Sequence, residues 1–120
     1  MNHPESTHQI ALIKWAAMVR HPDLEEPIGA YLFAIPNGGR RGKLEASILK
    51  AEGVKPGIPD LFLAVPTADC AGLFIEMKIK PNRVSKEQVA VMKRFVLQGY
   101  AAEVAWSWDE AKDMILNYLK

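Results

Sequence analysis

The sequence predicts an α/β fold with a mixed central sheet flanked by helices. Short apolar runs and one alternating run, each bounded by Gly, Pro or Asn, have the length and pattern of strands. Segments with helical spacing of apolar residues separate them, as expected when helices cover the faces of a sheet. The predicted order is α-β-α-β-β-α-β-α.

A helix is predicted near the start of the chain. Four apolar side chains recur at the spacing of one helical face: Leu12, Ile13, Ala16 and Ala17. Glu5 and Gln9 continue that face toward the N-terminus. The helix should end near His21-Pro22, because the residue before a proline avoids helical backbone angles.

A strand and a short helix follow. The apolar segment at 30–35 is a predicted strand, and the turn-forming string PNGG closes it. A helix is predicted from Arg40 to Glu52, with Gly53 near its C-terminal cap. Its inward face should carry Leu44, Ile48 and Leu49.

Three further strands are predicted in the second half of the chain. The run LFLAV at 61–65 is continuous and apolar, as expected of a buried strand. In GLFIEMKIK at 72–80 the residues alternate, so that one face carries Phe74, Glu76, Lys78 and Lys80. The segment YAAEVAW at 100–106 is the last strand.

Two helices with capping signals lie on either side of the last strand. Ser85 is the predicted N-cap of a helix that ends near Gly99, and Ser107 opens a capping box before the final helix. The final helix should bury Ala111, Ile115, Tyr118 and Leu119. The helix after Ser85 should join two strands by a right-handed crossover, which makes part of the sheet parallel.

Length and composition fit one domain spanning residues 1–120. The chain has 120 residues, of which 49% are hydrophobic and 24% charged, as is ordinary for a globular protein. No apolar run approaches the roughly 20 residues that span a bilayer, and the start lacks a signal-peptide pattern. One cysteine, Cys70, cannot form an internal disulfide, so a reducing cytoplasm is expected.

The basic residues are concentrated in two segments, although the net charge is only +1. Residues 36–56 carry five basic and two acidic side chains, and residues 78–94 carry six basic and one acidic. A polarised surface of this kind suits phosphate binding. Solvated helix and loop faces would produce the same counts, so charge alone leaves both interpretations open.

Asp60, Glu76 and Lys78 form the group of residues that suggests chemistry. Asp60 starts one strand, and Glu76 and Lys78 lie two apart on the next, so both point from the same face. The turn PTADCAG makes the strands neighbours and brings Asp60 close to Glu76. Two adjacent carboxylates repel unless a cation lies between them, and hard oxygen ligands suit Mg²⁺. The backbone carbonyl of Met77 could be a third ligand.

A structural explanation competes with a metal site. Asp60 could cap a turn after Pro-Gly-Ile-Pro, and Glu76 and Lys78 could be exposed residues of a half-solvated strand. The adjoining strands and the basic segments on either side favour the metal site. Lys78 would then hold a water or stabilise charge on a transferring phosphoryl group.

The strings around these residues resemble a known family. IPD at 58–60 followed by EMK at 76–78 is similar to the PD-(D/E)xK nuclease core. PNGGRR, LKAEGVKPGIPDLFLAVP and GLFIEMKIKPNRVSKEQ, in that order, resemble the VRR-NUC (virus-type replication-repair nuclease) family in its stand-alone phage and bacterial form. The resemblance extends from Glu5 to about Trp106. It implies a restriction-endonuclease-like core and a cytoplasmic location in a bacterial or phage-infected cell.

The resemblance implies a role for each matching residue. Asp60 and Glu76 would ligate Mg²⁺ or Mn²⁺, and Lys78 would assist the attacking water. Gln88 matches a glutamine near the site, and Glu5 matches a glutamate that can complete the metal shell. DNA contacts would come from two groups of residues: Asn37, Gly38, Gly39, Arg40 and Arg41, then Lys80, Arg83 and Lys86. No organic cofactor is implied.

Several of these matches have simpler explanations. Gln88 stands three residues after Ser85 and could only close a capping box, although it shares the face of Met92. Glu5 lies at a helix N-terminus, where the helix dipole favours any acidic residue. Gln9 matches a glutamine of the family one turn after Glu5, but it could instead pair with Ser6 in a cap.

The implied activity is metal-dependent hydrolysis of DNA phosphodiester bonds. Stand-alone family members resemble junction-resolving enzymes, which implies a homodimer that cuts four-way junctions or other branched DNA in repair. Symmetric cutting needs two sites related by a two-fold axis. Tyr31–Ile35 and the final helix are candidate dimer surfaces. Two alternatives stay open, a non-catalytic DNA-binding module that retains the nuclease fold and a nuclease that depends on a partner.

Overall fold

The structure of the chain, a computed structural model, describes residues 4–36 and 42–120. Its helices are α1 (Pro4–Met18), α2 (Lys43–Ala51), α3 (Lys86–Leu97) and α4 (Trp108–Tyr118). Its strands are β1 (Leu32–Ala34), β2 (Leu61–Leu63), β3 (Leu73–Met77) and β4 (Ala101–Ala105). The predicted element order is confirmed, with strands shorter than expected. In the described part of the chain, no helix has both the length and the apolar character needed to cross a bilayer.

The strands form one mixed sheet in the order β1-β2-β3-β4. β1 and β3 each pair with β2 in antiparallel fashion, and β3 pairs with β4 in parallel. α3 makes the connection between β3 and β4, because parallel neighbours cannot be joined by a tight turn. The predicted mixed sheet is therefore confirmed.

The core lies on the face of the sheet that α1 and α4 cover. The strands contribute side chains that are at most 1% exposed: Leu61, Leu63, Leu73, Ile75 and Met77. The two helices add Leu12, Ala16, Ala111 and Ile115, all fully buried. The burial follows the predicted alternation of β3, whose odd-numbered residues point into the core.

The opposite face of the sheet is covered by α3 through aromatic contacts. The Phe74 ring stacks on Phe95 of α3 at a centroid distance of 4.6 Å, and it lies 4.5 Å from the ring of Phe62. Glu76 follows Phe74 on this face, so the polar end of β3 lies under the first turn of α3. The face of β3 that carries Phe74, Glu76 and Lys78 is therefore aromatic along most of the strand and ends at the Glu76 carboxylate.

Three predictions about helices were wrong in detail. Ala17 is exposed, since the covered stripe of α1 is narrow and centred on Leu12 and Ala16. Tyr118 is only partly buried, and its hydroxyl donates to the Val65 carbonyl at 2.7 Å. A phenol hydroxyl at the edge of a core needs such a partner. α2 begins at Lys43 rather than Arg40.

The predicted inward face of α2 was also wrong. Leu44 is 76% exposed and Ile48 is 50% exposed, and none of the residues of α2 is buried. Leu49 is partly buried. The reason is that α1, α4 and α3 already cover the sheet, so the described chain offers α2 no apolar face to pack against.

Candidate active site

Asp60 and Glu76 lie side by side where β2 begins and β3 ends. The register pairs Leu61 with Ile75, which places Asp60 opposite Glu76. The Asp60 carboxylate accepts a 2.7 Å hydrogen bond from the Met77 N–H. The backbone carbonyl of Asp60 accepts a hydrogen bond from the Ile35 N–H at 2.8 Å. Asp60 is therefore held between the extensions of β1 and β3, and the structure brings the two carboxyl groups together.

The approach to Asp60 depends on a glycine in the preceding loop. Gly57 has a φ of +82°, and a Cβ there would lie 2.9 Å from Cγ of Glu87 on α3. A glycine is required where the backbone has a positive φ and runs this close to a helix. Pro59, next to Asp60, is fully buried. The string PGIPD thus fixes the carboxylate against the start of α3.

Glu76 is buried, with only 3% of the residue exposed. Its Oε2 accepts a 3.0 Å hydrogen bond from Gln88 Nε2 and lies 3.8 Å from Lys78 Nζ. Its Oε1 has no hydrogen-bond partner among the described residues. An unpaired buried carboxylate oxygen is costly, so this atom is suited to a ligand. The alternative that Glu76 is exposed on a solvated strand is wrong.

The two carboxyl groups shift each other's ionisation. Burial and the charge of Asp60 raise the pKa of Glu76 to about 8, against the opposing effect of Lys78. Burial also raises the pKa of Asp60, while the Met77 N–H lowers it. A hydrogen bond between the carboxyls raises the pKa of Glu76 and lowers that of Asp60. The pair therefore binds a proton more tightly than two separate carboxyl groups would, and a bound cation would displace that proton.

Lys78 lies on the same face as Glu76, one residue beyond the end of β3. Its side chain is 14% exposed, and its ammonium lies 3.8 Å from Oε2 of Glu76. Its N–H donates to the Ala105 carbonyl at 2.9 Å, which extends the parallel ladder past Met77. The backbone that carries the ammonium is thereby fixed beside the pair of carboxylates.

Gln88 bonds both to Ser85 and to Glu76. It therefore closes the capping box of α3 and also contacts the candidate site, as the two explanations drawn from the sequence proposed separately. Its Oε1 accepts from the Ser85 N–H at 2.8 Å, and its own N–H donates to Ser85 Oγ at 3.0 Å. These bonds form the capping box of α3. Its Nε2 remains available and donates to Glu76.

Glu5 lies near the pair but is bound by the segment that follows β3. Its Oε2 accepts from Asn82 Nδ2 at 2.9 Å and from the Ile79 N–H at 3.4 Å. Its charge contributes to the raised pKa values of Asp60 and Glu76. Asn82 was not among the predicted site residues, and its one signal in the sequence is its place in the loop after the ExK strand. Gln9, one turn along α1, is partly buried.

The oxygen atoms of the site suit a hard divalent cation. Within residues 4–36 and 42–120, no three His, Cys, Asp or Glu side chains could hold a metal together. Mg²⁺ is commonly bound by one or two carboxylates and completes its shell with water and phosphate oxygens. The Met77 carbonyl points to the same edge of β3 as its N–H, toward Asp60. The unpaired Glu76 oxygen, Asp60 and this carbonyl therefore fit Mg²⁺ or Mn²⁺.

Residues 5–108 match the family model of the VRR-NUC domain. The chain belongs to the VRR-NUC domain family. A solved structure described as a VRR_NUC domain protein has a TM-score of 0.83 and 25% sequence identity to it, covering 98% of this chain and 89% of that one. No curated protein matches the chain significantly. The resemblance found in the sequence is confirmed, as is the α/β nuclease fold, which is consistent with the PD-(D/E)xK superfamily.

Membership of the VRR-NUC family makes this chain a member of a nuclease family and implies DNA as the substrate. Three of the predicted DNA contacts are exposed and lie on or next to the segment that joins β3 to α3: Lys80, Arg83 and Lys86. The remaining predicted DNA contacts lie outside the described residues: Asn37, Gly38, Gly39, Arg40 and Arg41.

Proposed function

We propose that this VRR-NUC domain hydrolyses DNA phosphodiester bonds with Mg²⁺ or Mn²⁺ at a site formed by Asp60, Glu76 and Lys78. The observation that carries the proposal is the buried pair of carboxyls, with one Glu76 oxygen unpaired and a lysine ammonium on the same face. A structural ion pair would not require the second carboxylate, and a decayed site would be expected to have lost one of the three residues.

Each residue of the site has a part in the proposed reaction. Asp60, Glu76 and the Met77 carbonyl would hold the ion. A bound divalent ion supplies a more acidic water and neutralises charge on the phosphate. Lys78 would orient the attacking water and stabilise the phosphoryl group as the water oxygen bonds to phosphorus and the bond to one sugar oxygen breaks. Gln88 would hold the Glu76 carboxylate.

The residues around the site would position the DNA. Lys80, Arg83 and Lys86 supply exposed positive charge for contacts with the phosphate backbone, which fix orientation without reading sequence. Because the Glu5 carboxylate is already bound by Asn82 and the Ile79 N–H, we propose that Glu5 anchors the segment after β3. Direct ligation of the metal by Glu5, the role that the resemblance implies, stays a prediction.

The proposal is tested with purified protein and labelled four-way-junction, flap, nicked and duplex DNA in Mg²⁺, Mn²⁺ or EDTA. We expect cleavage in either metal, none in EDTA, and a preference for branched DNA. Lys78→Ala should bind DNA at near-normal affinity and cut it at least about 100-fold more slowly, since it removes charge stabilisation from the reaction. DNA binding without cleavage would favour a non-catalytic module, and cleavage that requires an added protein would favour a partner-dependent nuclease.

We further propose that the active form is a homodimer and that α2 contributes to its interface. Leu44 and Ile48 lie one turn apart on α2 and are 76% and 50% exposed. A nine-residue helix with no buried side chain is too short to be stable in water by itself. Of the surfaces suggested by the sequence, β1 adds Phe33, which is 50% exposed. The final helix offers only Leu116, at 38%.

The double variant Leu44→Ser/Ile48→Ser should therefore shift the protein from dimer to monomer. Light scattering coupled to gel filtration measures the change at matched concentration. Symmetric cleavage of a four-way junction should fall with the dimer fraction, because the two cuts need two sites. Leu97→Ser is the matched control, as it removes a side chain that is 83% exposed on α3. A double variant that remains dimeric would exclude α2 from the interface.

A further inference from the structure

The N-terminal cap of α3 and the candidate catalytic carboxylate share one side chain, Gln88. Its carboxamide oxygen accepts from the backbone of Ser85, and its nitrogen donates to Glu76, at 2.8 and 3.0 Å. The Ser85 hydroxyl in turn accepts from the Gln88 N–H at 3.0 Å. Two reciprocal hydrogen bonds thus join Ser85 to Gln88, and a third joins the Gln88 carboxamide to the buried Glu76.

We propose that Ser85 is a positioning residue, which orients the Gln88 carboxamide so that its donor end faces Glu76. The proposal rests on the nuclease function proposed above and names a residue that acts through another. Ser85 does not itself contact Glu76 in the described hydrogen-bond network.

The physical reason is that a carboxamide has one donor end and one acceptor end. The Ser85 N–H binds the oxygen, which leaves only the nitrogen to face Glu76. A rotated carboxamide would set its NH₂ against the Ser85 N–H, where two donors repel each other, and would turn its oxygen instead of its donor toward Glu76. The Ser85 hydroxyl accepts from the Gln88 N–H, closes the first turn of α3 and so fixes the position of the Ser85 N–H that binds the carboxamide oxygen. Without this cap the first turn could open, and the three torsions of the glutamine side chain would be free to populate other rotamers.

The orientation of Gln88 also selects which Glu76 oxygen is available. Because Nε2 of Gln88 and Nζ of Lys78 both lie on the Oε2 side, Oε1 is the atom without a partner among the described residues. Loss of the cap would allow the Glu76 carboxylate to rotate, so that Oε1 would no longer be the one oxygen left for a ligand. The capping box of α3 therefore does more than begin a helix.

The chain offers a matched control in Ser107. Ser107 caps α4, and its hydroxyl accepts from the Glu110 N–H at 3.1 Å. Glu110 is exposed. Among the described residues, neither Ser107 nor Glu110 is hydrogen-bonded to Asp60, Glu76 or Gln88. Ser85→Ala and Ser107→Ala remove the same kind of bond from two helices, and only one of these helices reaches the site.

The experiment compares Ser85→Ala, Ser107→Ala, Ser85→Thr and Gln88→Glu with the unmodified chain. Both alanine variants should lower the unfolding midpoint by similar amounts. Only Ser85→Ala should lower kcat, by about 10-fold, with KM for DNA little changed, as is usual for the partners that orient metal ligands. Ser85→Thr should restore kcat, because threonine also caps helices. Gln88→Glu keeps an acceptor for the Ser85 N–H but sets a carboxylate against Glu76, so it should lower kcat and also lower the unfolding midpoint.

A second readout does not depend on activity. In the metal-free protein, the side-chain NH₂ resonances of Gln88 should shift and lose exchange protection in Ser85→Ala but not in Ser107→Ala. Unchanged Gln88 resonances, or a kcat in Ser85→Ala equal to that of Ser107→Ala, would overturn the positioning role. If no variant, including the unmodified chain, cuts DNA while the resonances respond as expected, the proposed function fails and the orientation of Gln88 by Ser85 stands.

Discussion

Asp60→Asn will abolish metal-dependent DNA cleavage and leave the domain folded. An asparagine oxygen can still accept the 2.7 Å hydrogen bond from the Met77 N–H, so the connection between β2 and β3 is kept. The substitution removes the negative charge that faces the ion. Metal ions supply several kcal/mol of charge stabilisation, and each 1.36 kcal/mol is tenfold in rate, so we expect a loss of at least about 1,000-fold.

Single-turnover cleavage of a labelled four-way junction in Mg²⁺ measures this effect, and circular dichroism checks the fold. The matched control is Asp69→Asn, which removes a carboxylate from an exposed position on the turn between the same two strands. The control should cut at the normal rate. If Asp60→Asn retains cleavage within tenfold of the unmodified chain, Asp60 is not a metal ligand and the proposed site is wrong.

Glu76→Gln will also stop cleavage, but it should stabilise the metal-free protein at alkaline pH. The pKa of Glu76 is about 8 in the folded chain, against 4.5 for an ordinary glutamate. A raised carboxyl pKa means that the folded state binds the proton more tightly than the unfolded state does. The resulting stabilisation is complete below pH 4.5 and is lost as the pH rises through about 8. Burial raises the pKa of Asp60 as well, so ionisation of Asp60 also lowers the free energy of unfolding as the pH rises.

The free energy of unfolding in EDTA should therefore fall between pH 5 and 8 for the unmodified chain and fall less for Glu76→Gln. At pH 8 the variant should be the more stable of the two, because a neutral carboxamide is buried without ionising. Added Mg²⁺ should recover stability in the unmodified chain only. Glu103→Gln, at an exposed position on β4, is the control. A pH dependence in Glu76→Gln equal to that of the unmodified chain would show that Glu76 is not the group that titrates.

Hydrophobic periodicity and capping signals were sufficient to predict the order of helices and strands. The alternation of GLFIEMKIK determined which residues of β3 enter the core, and Ser85 with Gln88 determined where α3 begins. Asp60 and Glu76 could be placed together because a short turn joins their strands, so that sequence proximity implied spatial proximity. These features depend on interactions between residues that are close in the sequence, so they can be predicted from the local pattern of residues.

The partners of buried and half-buried side chains were decided only by the tertiary structure. The spacing of Leu44 and Ile48 predicts an apolar helix face, but it carries no information on whether anything in the chain covers that face. The bond between Glu5 and Asn82 joins residues 77 positions apart, and the second contact of Gln88 is visible only once α3 lies over β3. The unpaired Glu76 oxygen is likewise a property of the packed site. Such contacts arise from the packing of whole elements against one another, so no local pattern of residues encodes them.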